Sequence, residues 1–336
     1  YLRTMSMSPV STIDFDPNGL GQPRRMRSGS YDYASGAQYH VSGQLAALSL
    51  FNGFNLSKTI NSRHLTTRMS VTRGSFKAVD LAYGYDAKLD RISTINDYAN
   101  VGQNRSFWYD ARGRLTSANS QAWGGPATFR YDVLNNLRQR RLGSRYVDMT
   151  YNSQNRLHSV RDTARSYSQY YTYNYDSRGN TTFDAHGSNS FTYDYANQPT
   201  TLSGSTYGSY KYDGNLKRVR SSTISKELYY VYSSVAGNVT RIHQIRPTSE
   251  MITYVRLGEV TAEFRNGTFN RFKHTDHLGT SVSASSYTGS VGSRESYSPF
   301  GERLGKSYSS DTIGVTGPGK HTRSEQKKNL TTVTRP

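Results

Sequence analysis

The feature that most constrains this chain is a segment written several times over. An aromatic residue followed by Asp recurs at Tyr85-Asp86, Tyr109-Asp110, Tyr131-Asp132, Tyr175-Asp176, Tyr193-Asp194 and Tyr212-Asp213. Tyr151-Asn152 fills the largest gap, and a weaker beat continues at Tyr232. The successive spacings are 24, 22, 20, 24, 18 and 19 residues. A unit of about twenty residues cannot bury a hydrophobic face alone, so its copies must stack and cover one another. The repeat therefore decides the architecture before any single residue does.

Each unit reads as one β-hairpin. Aromatics alternate with polar residues ahead of the anchor, as at Tyr171, Tyr173 and Tyr175, at Phe191, Tyr193 and Tyr195, and at Tyr210 and Tyr212. Period two is the signature of a half-buried strand. The Asp or Asn ends that strand and accepts a hydrogen bond from a backbone amide two residues on. Gly113, Gly179 and Asn136 follow three or four positions later, where a positive φ is expected and cheap for Gly or Asn. A second short strand then starts, as at Arg114-Leu115-Thr116, Arg156-Leu157 and Arg218-Val219. The expectation is an all-β chain of hairpins from about Tyr31 to Leu304 without long helices. A long twisted sheet must curl, split or close, so the hairpins are expected to form a spiralling sheet.

Composition agrees. Only 34% of residues are apolar even with the 28 tyrosines counted, against roughly 45–50% in globular chains. Such a core must bury tyrosine rings and keep their hydroxyls paired or wet. With no cysteine, disulfides and thiolate metal sites are excluded. No run of about 18 apolar residues marks a membrane span, and no stretch reads as a secretory leader. The net charge is +18, from 42 basic and 24 acidic residues. The basic residues are scattered in pieces such as RGRL, RQRR and KRVR rather than gathered on one element, which argues against a nucleic-acid partner.

Three longer segments extend the pattern. These are FDPNGLGQP (Phe15 to Pro23), YHVSGQLAALSLFNG (Tyr39 to Gly53) and HTDHLGTSVSASSYTGSVGSRESYSPFGERLG (His274 to Gly305). With the spaced anchors they resemble the Rhs/YD-repeat family, which includes bacterial Rhs toxins, the C components of insecticidal toxin complexes, and teneurins. The last segment is similar to the Rhs-associated core signature through Asp276, His277, Leu278, Gly279, Gly289, Tyr297, Pro299, Phe300, Gly301 and Glu302. The resemblance implies a hollow, non-enzymatic β-shell that encloses a C-terminal toxic polypeptide for delivery or intercellular competition. It also implies a secreted or cell-surface location, with the cargo and a secretion-system or cell-surface component as partners. The residues it marks as structural are Tyr109, Asp110, Gly113, Tyr175, Asp176, Gly179, Asp276, His277, Gly279, Tyr297, Pro299, Phe300 and Gly301.

The resemblance stops after Gly314 to Gly317. The family continues with a Tyr-rich closing segment, a self-cleavage corner and a variable toxin, whereas here PGKHTRSEQKKNLTTVTRP has no Tyr and five Lys or Arg among nineteen residues. The expected organisation is a shell over residues 1–305 and a divergent, disordered tail over 306–336. DPNGL at Asp16 to Leu20 imitates the cleavage corner but reads as a turn.

Candidate chemistry is sparse. His274, Asp276 and His277, with Glu302, are residue types that can hold a metal or exchange protons, but Gly279 gives this segment a backbone reason to exist, and it reads as a turn. The other histidines show no ligand spacing. Neither a GxSxG elbow nor a GxxxxGK[ST] phosphate loop occurs. No cofactor is expected. Two rival readings remain: a carbohydrate- or receptor-binding module using the tyrosine rows, and a nuclease suggested by charge alone.

Overall fold

The structure, a computed structural model, describes residues 3–7, 10–164, 168–233 and 239–307. These hold twenty-nine strands, from Thr4–Met7 to Arg303–Ser307, and two single 3-10 turns at Val101–Gln103 and Gln121–Trp123. No α-helix occurs among the described residues. Every strand pairs antiparallel with the next one in sequence, so the chain is a single meander. The expected all-β chain of stacked hairpins is present. It begins earlier than the tyrosine pattern indicated, because Thr4–Met7 already pairs with Val10–Asp14.

The repeat maps onto the meander simply. In the unit from Arg105 to Ser120, Arg105–Tyr109 runs into the turn and Leu115–Ser120 returns, with Phe107 opposite Ala118. The register slips by one residue at Tyr109. The same slip falls at Tyr85, Tyr131, Tyr151, Tyr175, Tyr193, Tyr212, Tyr232 and Tyr297. A bulge at each turn sharpens the local twist. Regularly repeated bulges on one edge make the sheet curl.

The two faces differ. Tyr83, Ile95, Phe107 and Tyr109 lie on one face, which continues through Ala118, Ala127, Phe129, Val147, Met149 and Val160 to Tyr173 and Phe191. On this face Phe129, Met149 and Leu202 are buried. On the opposite face Trp108, Arg130, Thr172, Asn174 and Lys211 are exposed. The tyrosine face is the shielded, inner one.

The last strands lie on the first. The ring of Tyr33 is 5.0 Å from Phe264, and that of Phe51 is 5.4 Å from Phe272 and 5.1 Å from Tyr287. Further along, the Arg294 guanidinium donates to the Ala78 carbonyl at 3.3 Å, Phe129 meets Phe300 at 4.8 Å, and Arg145 pairs with Glu302. Both members of these pairs advance together along the chain. A sheet folded back on itself would match rising numbers with falling ones, so this sheet winds as a spiral. The strand Val291–Tyr297 lies against Phe76–Tyr85, twenty strands earlier. At about 4.8 Å per strand, one winding is roughly 95 Å around.

The main core fills this seam. Leu48, Leu56, Met69, Val71 and Val79 of the first winding pack with Val255, Leu257, Val260, Phe264 and Phe272 of the last, all nearly inaccessible. Smaller clusters form around Phe129 and Leu142 and around Met149 and Val160. On the inner face of the last winding, burial would raise the Glu263 carboxyl, but Lys273, Arg271 and the Asn270 amide overcome this and hold it at about 2. Lys273 also lies 4.6 Å from the Tyr254 ring centroid. An unpaired charge here would be costly to bury.

Phe264→Ala is expected to lower stability by about 3–5 kcal/mol, because it empties a fully buried site. Trp108→Ala, on the exposed face, should stay within about 0.5 kcal/mol of the parent. Urea unfolding followed by circular dichroism checks both.

Candidate functional site

The repeating turns and the seam are the two places where particular side chains decide the structure. In the turns, the anchor carboxylate organises the backbone. Asp110 Oδ1 accepts from the amides of Arg112 at 3.0 Å and Arg114 at 2.9 Å. Asp132, Asn152, Asp194 and Asp213 repeat this two-amide grip. Asp176 grips Asn180 N at 2.8 Å. The amide three residues after the anchor donates back to its carbonyl, as Gly113 does to Asp110 at 2.8 Å. That third residue takes a positive φ: 73° at Gly113, 88° at Gly179 and 61° at Asn197. Burial works to raise the Asp110 and Asp132 carboxyls, but the gripped amides, with Arg114 and Asn136 respectively, hold both below the usual range.

Asn136 differs from the sequence expectation. The positive φ, 68°, falls on Asn135. Asn136 uses its side chain instead, donating to Asp132 Oδ2 at 2.9 Å and contacting Asn155 Oδ1 at 2.5 Å. The turn fixes the left-handed residue at the third place after the anchor, so the fourth is free to clamp it. Leu216 holds that third place after Asp213 with φ 60°, a conformation poorly suited to Leu.

The anchor tyrosines join one repeat to the next. Tyr109 Oη donates to the Ile92 carbonyl at 2.8 Å, Tyr131 to Leu115 at 2.9 Å, Tyr151 to Leu137 at 3.0 Å, Tyr175 to Leu157 at 2.7 Å and Tyr193 to Thr181 at 2.8 Å. Tyr85, Tyr232 and Tyr297 do the same to Thr66, Arg218 and Ser281. In every case the acceptor opens the return strand of the preceding hairpin. Burial pushes the phenols of Tyr131, Tyr151 and Tyr193 up to about 12, so they remain donors across the physiological range. Cations cover the rings: Arg91 over Tyr109, Arg114 over Tyr131 at 4.8 Å, Arg138 over Tyr151 and Arg156 over Tyr175. These rings bind their own sheet, which leaves the anchor tyrosines little to offer a sugar.

The DHLG segment is another such turn. Asp276 Oδ1 accepts from Leu278 N at 3.0 Å and Thr280 N at 2.8 Å, and Gly279 has φ 77°. His277 packs on Tyr83, 4.5 Å between ring centroids. His274 is fully buried, its Nε2 2.9 Å from Ser285 Oγ. Glu302 pairs with Arg140 at 3.3 Å and with Arg145. Among the described residues no three His, Asp or Glu side chains gather as a metal would need. In the PFGE corner Ser298 takes the anchor's place: its Oγ accepts from Glu302 N at 3.0 Å, and Gly301 has φ 78°. Pro299 sits inside this turn, and Phe300 reaches the Phe129 ring. The single hydroxyl proton of Tyr297 is shared between Glu295 Oε2 at 2.5 Å and the Ser281 carbonyl at 3.2 Å.

Where no Tyr precedes the anchor, sequence reasoning missed the Asn61 turn altogether and, in DPNGL, read a turn without identifying its gripping residue. Asn18 grips Leu20 and Gln22, and Asn61 grips Arg63 and Leu65. In DPNGL the acceptor is therefore Asn18, and Asp16 pairs with Arg24 at 2.8 Å. The seam residues Asn52, Lys58 and Glu259 were also missed. Asn52 Nδ2 donates to Ser285 Oγ at 3.0 Å and to the Ser286 carbonyl at 2.9 Å, and Lys58 pairs with Glu259. Partners 200 residues apart leave no local signal.

A curled antiparallel meander with an Asp or Asn grip at each repeated turn defines a β-shell built from tyrosine–aspartate repeats. The chain belongs to the Teneurin YD-shell family, whose model matches residues 38–317. Among solved structures it is similar to the Tc holotoxin pore of Photorhabdus luminescens, which contains TccC3, at 15% identity and a TM-score of 0.55 over 88% of this chain and 18% of that one. It is also similar to a TcdB2-TccC3-Cdc42 structure, at 13% identity and a TM-score of 0.49 over 88% of this chain and 20% of that one. The chain thus spans about a fifth of the length of these proteins. No curated protein matches it. The expected boundary at 305/306 falls within the strand Arg303–Ser307, and the rest of the expected tail, residues 308–336, lies outside the described residues.

Tyr131→Phe is expected to cost about 0.5–1.5 kcal/mol, the net value of a hydrogen bond, while Tyr98→Phe, at an exposed ring, should cost nothing measurable. Gly179→Val forces a β-branched residue to φ 88° and should cost about 1–3 kcal/mol. Thermal and urea midpoints of the three variants provide the measurement.

Proposed function

We propose that this chain is a non-enzymatic section of a hollow shell that encloses a polypeptide cargo, a toxic one by analogy with the Tc structures, and keeps it from its target until delivery. The observation that carries the reading is the winding. The last strands lie on the first in the same sense, so the sheet makes a wall that closes on itself. The family match and the likeness to a Tc holotoxin support it. A confined chain cannot reach a target, and it has lost much of the freedom that folding requires. Cations on the inner face, such as Arg140, Arg145, Arg271 and Lys273, are matched by Asp162, Glu263 and Glu302. That wall suits an unfolded guest of mixed charge, without a strong preference for an acidic one. The non-enzymatic reading rests on the commitment of Asp276, His277 and Glu302 to a turn, a ring contact and ion pairs. On this reading the protein acts outside the cell that makes it, with the cargo and a delivery component as partners.

The test fuses an unstructured reporter of about 40 residues to the C-terminus of the full chain and exposes the fusion to protease. Enclosure predicts reporter survival many-fold longer than that of the free peptide, abolished by Phe264→Ala. Equal digestion of fused and free reporter, with the shell intact, would contradict the proposal.

A further inference from the structure

Two histidines enter the seam where the last winding meets the first. His274 is inaccessible, its ring 6.3 Å from Phe54 and its Nε2 on Ser285, which in turn meets the neutral amide of Asn52. Its Nδ1 has no partner. His277 lies three residues on, against Tyr83, and its Nδ1 also has no partner. Cations face His277 from two elements of the first winding, Lys58 and Arg105, while the one anion acting on it is its neighbour Asp276. Lys58 is paired with Glu259, and Asp276 Oδ1 is occupied by two turn amides.

We infer that the seam is an acid-sensitive closure, in which protonation of His274 and His277 drives the last winding off the first. A proton on His274 would place a charge between Phe54 and Ser285 with no carboxylate to meet it. A proton on His277 would add a third cation beside Lys58 and Arg105. Both costs vanish once the seam parts and water reaches the rings. A cavity of about 270 Å³, lined by Arg105, Asp97 and Arg294, borders the seam.

The sign follows from linkage. Burial pushes His274 down to about 3, and His277 is also lowered, by burial first. A group whose folded value lies below its free value of about 6.5 binds its proton preferentially in the opened state. Closure is therefore fully stable above about pH 6.5 and weakens as pH falls, by up to about tenfold per pH unit for each histidine. Glu263 and Asp80 are held low and stay charged through this range. Asp97 acts in the opposite direction, because burial raises it. Facing it are the cations Arg105 and Arg294.

The inference needs no cargo, and its test uses none. The chain has no cysteine, so pyrene can be placed on Phe76→Cys and Thr288→Cys. Arg73 joins these positions, lying 5.4 Å from the Phe76 ring centroid and donating to the Thr288 carbonyl at 3.1 Å. Excimer emission is expected at pH 7.5 and should be lost reversibly between pH 6.5 and 4.5. His274→Gln and His277→Gln should each lower the midpoint, and the double variant should keep its excimer to pH 4.5. An excimer unchanged to pH 4.5 in the parent, or an unchanged midpoint in the double variant, would overturn the inference. Should the His274 variant fail to fold, histidine NMR of the parent decides. His274 must stay neutral until the excimer disappears, and titration near 6.5 with the excimer intact would also overturn it.

Discussion

The sheet depends on one contact made again and again: a phenol hydroxyl donating to the carbonyl that opens the preceding return strand. Backbone pairing alone would let neighbouring hairpins slip, and a one-residue slip would turn every side chain to the wrong face. The tyrosine hydroxyl pins the register from the side chain, while the ring fills the inner face and, at Tyr109, Tyr131, Tyr151 and Tyr175, lies beneath an arginine. The aspartate beside it sets the turn, so two adjacent residues fix both the end of a strand and its place against the last repeat. This explains how a chain poor in aliphatic residues builds a sheet of twenty-nine strands.

That economy is also why so much of the fold was legible. Strand phase, hairpin boundaries and the aspartate turns are local, and period two with a carboxylate at each strand end states them directly. The chemistry was less legible where a different atom does the same work. Ser298, Asn18 and Asn61 replace the aspartate, and no tyrosine precedes Asn18 or Asn61 to announce them. Asn135 rather than Asn136 takes the left-handed conformation because the turn counts from its anchor, not from residue preference. The seam was illegible for another reason. Asn52 and Ser285 are 233 residues apart, and only the curvature accumulated over the intervening strands brings them together.

The seam carries a different kind of stability from the wall. The wall is secured by many small, similar contacts, each worth little. The seam concentrates large apolar side chains, an ion pair and two uncharged histidines in one place. Loss of a wall contact is therefore a local matter, whereas loss of the seam turns a closed winding into an open sheet. The basic excess of the chain fits the same division. Inner cations such as Arg140, Arg145, Arg271 and Lys273 are matched by carboxylates, and exposed ones such as Arg130, Arg141 and Lys211 stand on the outer face.

The central claim is that the sheet winds on itself, and a distance across the seam tests it most directly. Spin labels at Phe76→Cys and Tyr287→Cys, both on exposed side chains, can be measured by pulsed electron resonance at neutral pH. Winding predicts a narrow distribution below about 25 Å. An open sheet would hold the two strands, nineteen apart, at roughly 90 Å by strand spacing alone, and a distribution beyond about 60 Å would contradict the account.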